Sequence, residues 1–190
     1  MPTDVTANRR RNALTAYVLA AAWIVADQLS KLWVLGSAFP NACPGFPARP
    51  GVTPAQDFPC QIDLNPVVDL TSVWNRGVSF GLLQGQADIA RWLLTGFSLL
   101  VAAGLIWWAR KADKRITALA FGLIIGGAVG NVIDRIRFGA VADFIDASGL
   151  HFPWIFNVAD SAISVGAVVF VLELFFTGDK ARVRPDASPL

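Results

Sequence analysis

Asp143, in VADFID, and Asp160, in FNVADS, are two carboxylates set beside apolar stretches long enough to cross a membrane. An ionised Asp at the centre of a bilayer costs on the order of 3 kcal/mol, so such residues pair, face water or do chemistry. The chemistry open to a carboxylate pair is specific. Two held close share one proton, so one acts as base toward water while the other, protonated, polarises the carbonyl under attack. General acid and base help of this kind contributes roughly 10² to 10⁴ in rate. Sequence does not fix which of the two would carry the shared proton.

Other chemistries lack their residues. There is no HExxH and His151 is the only histidine, so no metal site is expected. A Ser/His/Asp triad would have to use His151, which lies in the loop HFPW, where a structural or interfacial role is expected. A Ser-Lys pair would need Lys31, which has a simpler partner in Asp27, four residues earlier on one helical face. The run GGAVGN follows no strand and lacks dinucleotide-binding spacing.

The elements that carry the two aspartates follow from composition. The chain is 54% hydrophobic and 16% charged, with mean hydropathy +0.50, which marks an α-helical integral membrane protein. Its length of 190 residues suits a single membrane domain, and a net charge of +2 gives no reason to expect a nucleic-acid partner. Stretches 13–35, 89–109, 116–136 and 155–176 are each long enough to span a hydrocarbon core of about 30 Å. Arg9 to Arg11, then Arg110, Lys111, Lys114 and Arg115, then Lys180, Arg182 and Arg184 flank these spans. The positive-inside rule makes those segments and both termini cytoplasmic, and puts 36–88 and 137–154, with both aspartates, at the outer face. Arg9 to Arg11 before an apolar run also has the outline of a secretory signal. The pattern continues past Asp27 and Lys31 to Leu35 with no small-x-small cleavage site, so an uncleaved span is the reading adopted.

The outer segment 36–66 holds Pro40, Pro44, Pro47, Pro50, Pro54, Pro59 and Pro66 and is expected to be an extended loop rather than a regular helix. It also holds both cysteines, Cys43 and Cys60, on the side where a disulfide can persist; bridge and free thiols both stay open. From Val67 the chain reads VVDLTSVWNRGVSFGLL, a short β-ribbon on the outer surface. Asn75 is either a turn former before Gly77 or a substrate ligand, Arg76 a solvated charge, and Trp74 and Phe80 membrane-surface contacts. Trp107 and Trp108 anchor the inner end of the second span. Gly122, Gly126 and Gly130 make a smooth ridge for close helix packing.

Asn131, Asp134 and Arg135 share one helical face. Asp134 is read as structural, bonded to Arg135 or to backbone donors, and Arg135 stays open between structure and substrate binding. Gly139 breaks the helix, after which Phe144 and Ile145 are expected to dip into the interface. Asn157, Asp160 and Ser164 form a polar stripe at the start of the fourth span. Ser161 and Ser164 are expected to bond their own backbone, and Glu173 to be an interfacial charge.

In this order and across these spans, VADQLSK, WNRGVSFGLL, GGAVGNVIDR, GAVADFID and FNVADS resemble the bacterial lipoprotein signal peptidases, also called signal peptidase II. The resemblance leaves out the termini and the loop 38–66. It implies that Asp143 and Asp160 are catalytic aspartates that cleave a signal peptide before a lipid-modified cysteine, and that no metal or organic cofactor is used. It implies that Asn75, Asn131, Arg135 and Asn157 line the site and hold the substrate or the dyad. Asp27, Lys31, Gly77, Phe80, Gly130 and Asp134 match motif positions read as structural. Two departures stand out: the loop 38–66 is longer than expected, and Val78 and Ser79 replace a small pair after the NRG turn.

The sequence therefore points to a monomeric aspartic endopeptidase of the inner membrane, acting at the outer face on diacylglyceryl-modified prolipoproteins among membrane lipid. The alternatives are a small proton- or cation-coupled transporter using the same carboxylates, and a structural adaptor with a polar core. Internal repeats and broken midplane helices, expected of a transporter, are not evident. An adaptor would not need two acids at one depth.

Overall fold

The computed structural model describes residues 2–46, 60–77 and 87–182. Four helices are long and apolar enough to cross a membrane, over Asp4–Ala42, Asp88–Ala109, Arg115–Phe138 and Val158–Phe176. The four-span expectation holds. Helix α1 (Pro2–Trp33) runs through a π-helical turn, Val34–Ala38, into a last short turn, α2 (Phe39–Ala42). The prolines of 36–66 argued for an extended loop rather than a regular helix, yet Pro40 sits in the first turn of α2, where its missing N–H is not needed. The spans that follow are α3 (Ala87–Ala109), α4 (Arg115–Phe138) and α5 (Val158–Arg182).

Helix α4 is the hub, with 61% of its apolar window buried against 17% to 22% for the other three spans. Its glycines explain how it can be. A Cβ at Gly122 would lie 2.7 Å from the carbonyl oxygen of Ala16, and one at Gly126 would lie 2.9 Å from that of Ala20. Gly127 meets the backbone of Ala159 on α5, and a Cβ at Gly166 of α5 would come within 2.8 Å of the Ala120 carbonyl. Small residues let the backbones touch where lipid offers no hydrophobic drive to association. Gly139, at φ 77°, then caps α4 by donating its N–H to the Arg135 carbonyl.

One end of the bundle gathers basic residues. Arg9 pairs with Asp113 at 2.7 Å, Lys111 lies 3.6 Å from the centre of the Trp107 ring, and Lys114 pairs with Glu173 at 3.0 Å. Glu173 also accepts from the Thr117 hydroxyl, so it is a paired group and not simply an interfacial charge.

The opposite end carries a four-stranded antiparallel sheet in sequence order, β1 (Gln61–Asp63), β2 (Asp69–Asn75), β3 (Val141–Asp146) and β4 (Ile155–Phe156). The ribbon expected from Val67 onward is only partly right. Its strand β2 pairs with chain from outside the segment, and Val78, Ser79 and Phe80 lie outside the described residues. Phe144 is buried in an apolar cluster with Val34, Phe39, Phe46, Cys60 and Leu70, with Ile145 packed against it, instead of dipping into the interface. Trp74 likewise packs edge-on against Phe138 at 5.5 Å instead of facing the membrane surface. In both cases strand pairing turns the side chain toward the bundle.

A β-bulge sets the register that matters. Leu70 pairs with Ile145 but Val73 pairs with Asp143, so β2 carries one extra residue between them. Without it Asp143 would oppose Ser72, and Asn75, an odd number of residues away, would point to the other face.

Cys43 and Cys60 are bridged, across a sequence separation of 17, and tie the end of the first span to β1. Closing a loop of about 15 residues is worth about 3 kcal/mol in the chain-entropy account. The double variant Cys43→Ala/Cys60→Ala is expected to melt several degrees lower than the parent. Reductant should lower the parent's midpoint by a similar amount and leave the variant's unchanged, as followed by thermal denaturation in detergent.

Candidate active site

Asp160 stands at the third position of α5, one side of a reciprocal cap. The Asn157 side-chain oxygen accepts the Asp160 backbone N–H at 2.9 Å, and the Asp160 carboxylate accepts the Asn157 backbone N–H at 3.3 Å. This is a capping box built from Asn and Asp. The other Asp160 oxygen, Oδ1, accepts from Asn131 Nδ2 at 2.7 Å, which anchors it to α4.

Asp143 is held with the same economy. Its Oδ1 accepts from Asn157 Nδ2 at 2.6 Å and its Oδ2 from Asn75 Nδ2 at 3.1 Å. Asn75 was open between turn former and substrate ligand; it forms the turn, and its side chain also bonds Asp143. Its oxygen accepts the Gly77 N–H at 2.8 Å, and that bond aims the amide nitrogen at Asp143. Burial and the neighbouring negative charge of Asp160 push the Asp143 carboxyl up to about 7, against the pull of its two amide donors. A carboxyl so placed is about half protonated near neutral pH.

Beside this pair lies a buried ionic cluster. Lys31 reaches Asp27 at 2.9 Å and Asp134 at 2.7 Å, and its ammonium also points to Asn131 Oδ1 at 3.4 Å. Lys31 is therefore the buried cation of an internal ionic cluster. Asp134, expected on Arg135 or on backbone donors, takes Lys31 as its ionic partner because α1 packs directly against α4. It keeps one backbone donor, the Ala142 N–H at 3.2 Å. Gly130 makes the room, since a Cβ there would lie 2.7 Å from Asp27 Oδ2. Arg135 forms no ion pair with a described residue; it donates to the Asn131 carbonyl at 3.5 Å.

The sequence candidates Asp143, Asp160, Asn75, Asn131 and Asn157 thus form one hydrogen-bonded network, with Asp27, Lys31 and Asp134 adjoining through Asn131. Gln28 was missed. Its Nε2 donates to Asp27 at 3.1 Å and to Asp134 at 3.0 Å, and a polar residue beside Asp27 within an apolar run was the available signal. Ser161 bonds the Asn157 carbonyl, as expected of a hydroxyl in a membrane helix. A groove of about 520 Å³ opens beside Asp160, walled by Leu150, Phe152, Phe156, Ser161, Ser164 and Val165. Among the described residues no group of three or more His, Cys, Asp or Glu is placed to hold a metal ion.

The family model described as signal peptidase (SPase) II matches residues 19–176. A lipoprotein signal peptidase of Caulobacter vibrioides is 47% identical over 168 residues, which cover 88% of this chain and 90% of that protein. A lipoprotein signal peptidase of a Methylobacterium species is 40% identical over 180 residues, covering 93% and 99%. A bacterial membrane enzyme solved by the in meso method at 2.3 Å resolution superposes with a TM-score of 0.68 at 22% identity, covering 90% of this chain and 93% of that one. That likeness speaks to the fold.

Proposed function

The chain belongs to the signal peptidase II family, and from that premise we propose that it removes the signal peptide of diacylglyceryl-modified prolipoproteins by aspartic catalysis at Asp143 and Asp160. The observation that carries the assignment is the joint placement of the two carboxylates by Asn157, which donates to one and caps the backbone of the other. Family membership leaves the transporter reading without support.

The ionised member of the pair removes a proton from water as the water oxygen attacks the carbonyl before the lipidated cysteine. The protonated member gives its proton to the carbonyl oxygen. As the gem-diol intermediate collapses, the C–N bond breaks and the amine of the cysteine leaves with the proton held by one carboxyl. The other carboxylate takes a proton from a hydroxyl of the intermediate as it becomes the product acid, so the dyad returns to its single shared proton. The raised Asp143 carboxyl suits it to hold the shared proton, which leaves Asp160 the role of base toward water. Asn75 and Asn131 hold the outer oxygens. Arg135, whose charge acts on Asp160, Asp143 and Asp134 without a direct ion pair to a described residue, keeps guanidinium donors to meet substrate backbone or lipid headgroup.

The apolar groove beside Asp160 receives the hydrophobic part of the substrate from the surrounding lipid. The basic end of the bundle lies on the cytoplasmic side of the inner membrane, with both termini, and the dyad therefore works at the outer face.

The test is purified enzyme in vesicles with two precursors, one carrying the diacylglyceryl-modified cysteine and one with that cysteine replaced by serine. Cleavage of the first alone is expected. Equal cleavage of both, or of neither, would overturn the assignment.

A further inference from the structure

Each candidate catalytic aspartate follows an alanine whose backbone N–H is held by a buried carboxylate of another element. The Ala142 N–H donates to Asp134 Oδ2 at 3.2 Å, and the Ala159 N–H donates to Asp27 Oδ1 at 3.0 Å. Lys31 joins the two carboxylates, at 2.7 Å from Asp134 and 2.9 Å from Asp27. A continuous chain of charge-assisted bonds thus runs from the backbone just before Asp143, through α4 and α1, to the backbone just before Asp160. From this we infer that Asp27, Lys31 and Asp134 are positioning residues that set the spacing of the dyad. The inference rests on the assignment of Asp143 and Asp160 as the catalytic pair.

Stability alone does not account for such a cluster. All three side chains are at most 3% exposed, and burying an ion triad costs desolvation that well-packed apolar residues would avoid, so it is weak as a stabilising device. What it supplies is direction. Ala159 lies in the first turn of α5, where a backbone N–H has no partner within the helix, and the Asn157 cap satisfies only that of Asp160. Asp27 fills the vacancy and fixes the start of α5 against α1. Asp134 does the same for β3 against α4. Gln28 adds a second, neutral bridge between the same two carboxylates. Misplacement of reacting groups by about 1 Å can cost on the order of 10²-fold in rate.

The closing experiment compares steady-state cleavage of the lipid-modified precursor by the full-length parent and three sets of variants. Lys31→Met alone would strand two buried carboxylates and so tests only folding. The triple variant Asp27→Asn/Lys31→Met/Asp134→Asn keeps an oxygen acceptor for each alanine N–H and removes the bridge with no net buried charge. Its kcat is expected to fall about 10- to 100-fold with KM within twofold, and with folded yield and melting close to the parent. A role confined to structure would move yield and melting and leave kcat in place, so a folded triple variant with kcat within threefold of the parent overturns the inference. Should the triple variant not fold, Gln28→Met decides. A selective loss of kcat of about threefold or more supports the bridge, and an unaltered kcat overturns it. Asp143→Asn and Asp160→Asn are run alongside: activity in either overturns the dyad itself, whereas inactivity in both with full kcat in the triple variant overturns only the positioning role.

Discussion

Asp143→Asn and Asp160→Asn, made separately, are each expected to lower turnover of a lipid-modified precursor by ~10³-fold or more while folded protein persists in the membrane. One carboxylate cannot serve as both base and acid in a single attack, and general acid and base help is worth roughly 10² to 10⁴ for each proton transfer. KM should change little, because Asn matches Asp in size and the apolar walls of the groove, Phe152, Phe156 and Val165, are unaltered, although Asp160 itself lines the groove. Stability gives an independent sign. The Asp143 carboxyl rises from 3.8 to about 7 on folding, so the stability it contributes is complete below about 3.8 and is lost as pH rises through about 7. Asn cannot ionise. Asp143→Asn should therefore melt no lower than the parent at pH 8 while being inactive, and its advantage should shrink toward pH 5. A variant that is inactive only because it is unfolded would show the reverse, which thermal denaturation across that pH range distinguishes. A site that sacrifices stability for function is a common compromise at catalytic groups.

The parts of the site that sequence made legible are those set by neighbours within one element. Asp27 and Lys31 are four residues apart on a helix, and their pairing follows from helix geometry. The polar stripe of Asn157 and Asp160 is likewise local and reappears as the α5 cap. What stayed hidden depends on contacts between elements. Lys31 and Asp134 pair because glycines let α1 and α4 touch, which no spacing along one helix reveals. Trp74 and Phe144 are aromatic residues near a membrane surface, for which an interfacial position is the ordinary expectation. Their burial follows from β2 pairing with β3 across about seventy residues of chain, long-range pairing that local propensity does not encode. The bulge that aligns Asn75 with Asp143 is hidden for the same reason. Pro40 misled because a proline is compatible with the first turn of a helix, and only the three-dimensional path shows that a new turn begins there.

Asn157→Ala should be the most damaging substitution outside the aspartates, with kcat lowered by ~10²-fold. The residue is fully buried and its side chain makes three contacts that join the two aspartates and Asn131: to Asp143 Oδ1 at 2.6 Å, to Asn131 Oδ1 at 3.3 Å, and from the Asp160 N–H at 2.9 Å. Losing the cap costs about 1 kcal/mol, and a buried carboxylate left short of a donor adds a penalty of about 1 to 3 kcal/mol. Melting should fall by several degrees as a result. Its effect on pH dependence separates a site residue from a merely structural one. The Asn157 amide holds the Asp143 carboxyl down against burial and the charge of Asp160, so its removal must push that carboxyl further up. Turnover by a pair that works with one shared proton declines as that proton is lost, so the alkaline limb of the pH–rate profile should move to higher pH. Asn75→Ala removes the other donor to Asp143 but acts on an exposed residue at the mouth of the site, so it should shift the limb in the same direction with a smaller loss of kcat. An Asn157→Ala enzyme that melts lower but keeps the parent's pH–rate profile would mean that Asn157 only caps α5 and does not hold the dyad.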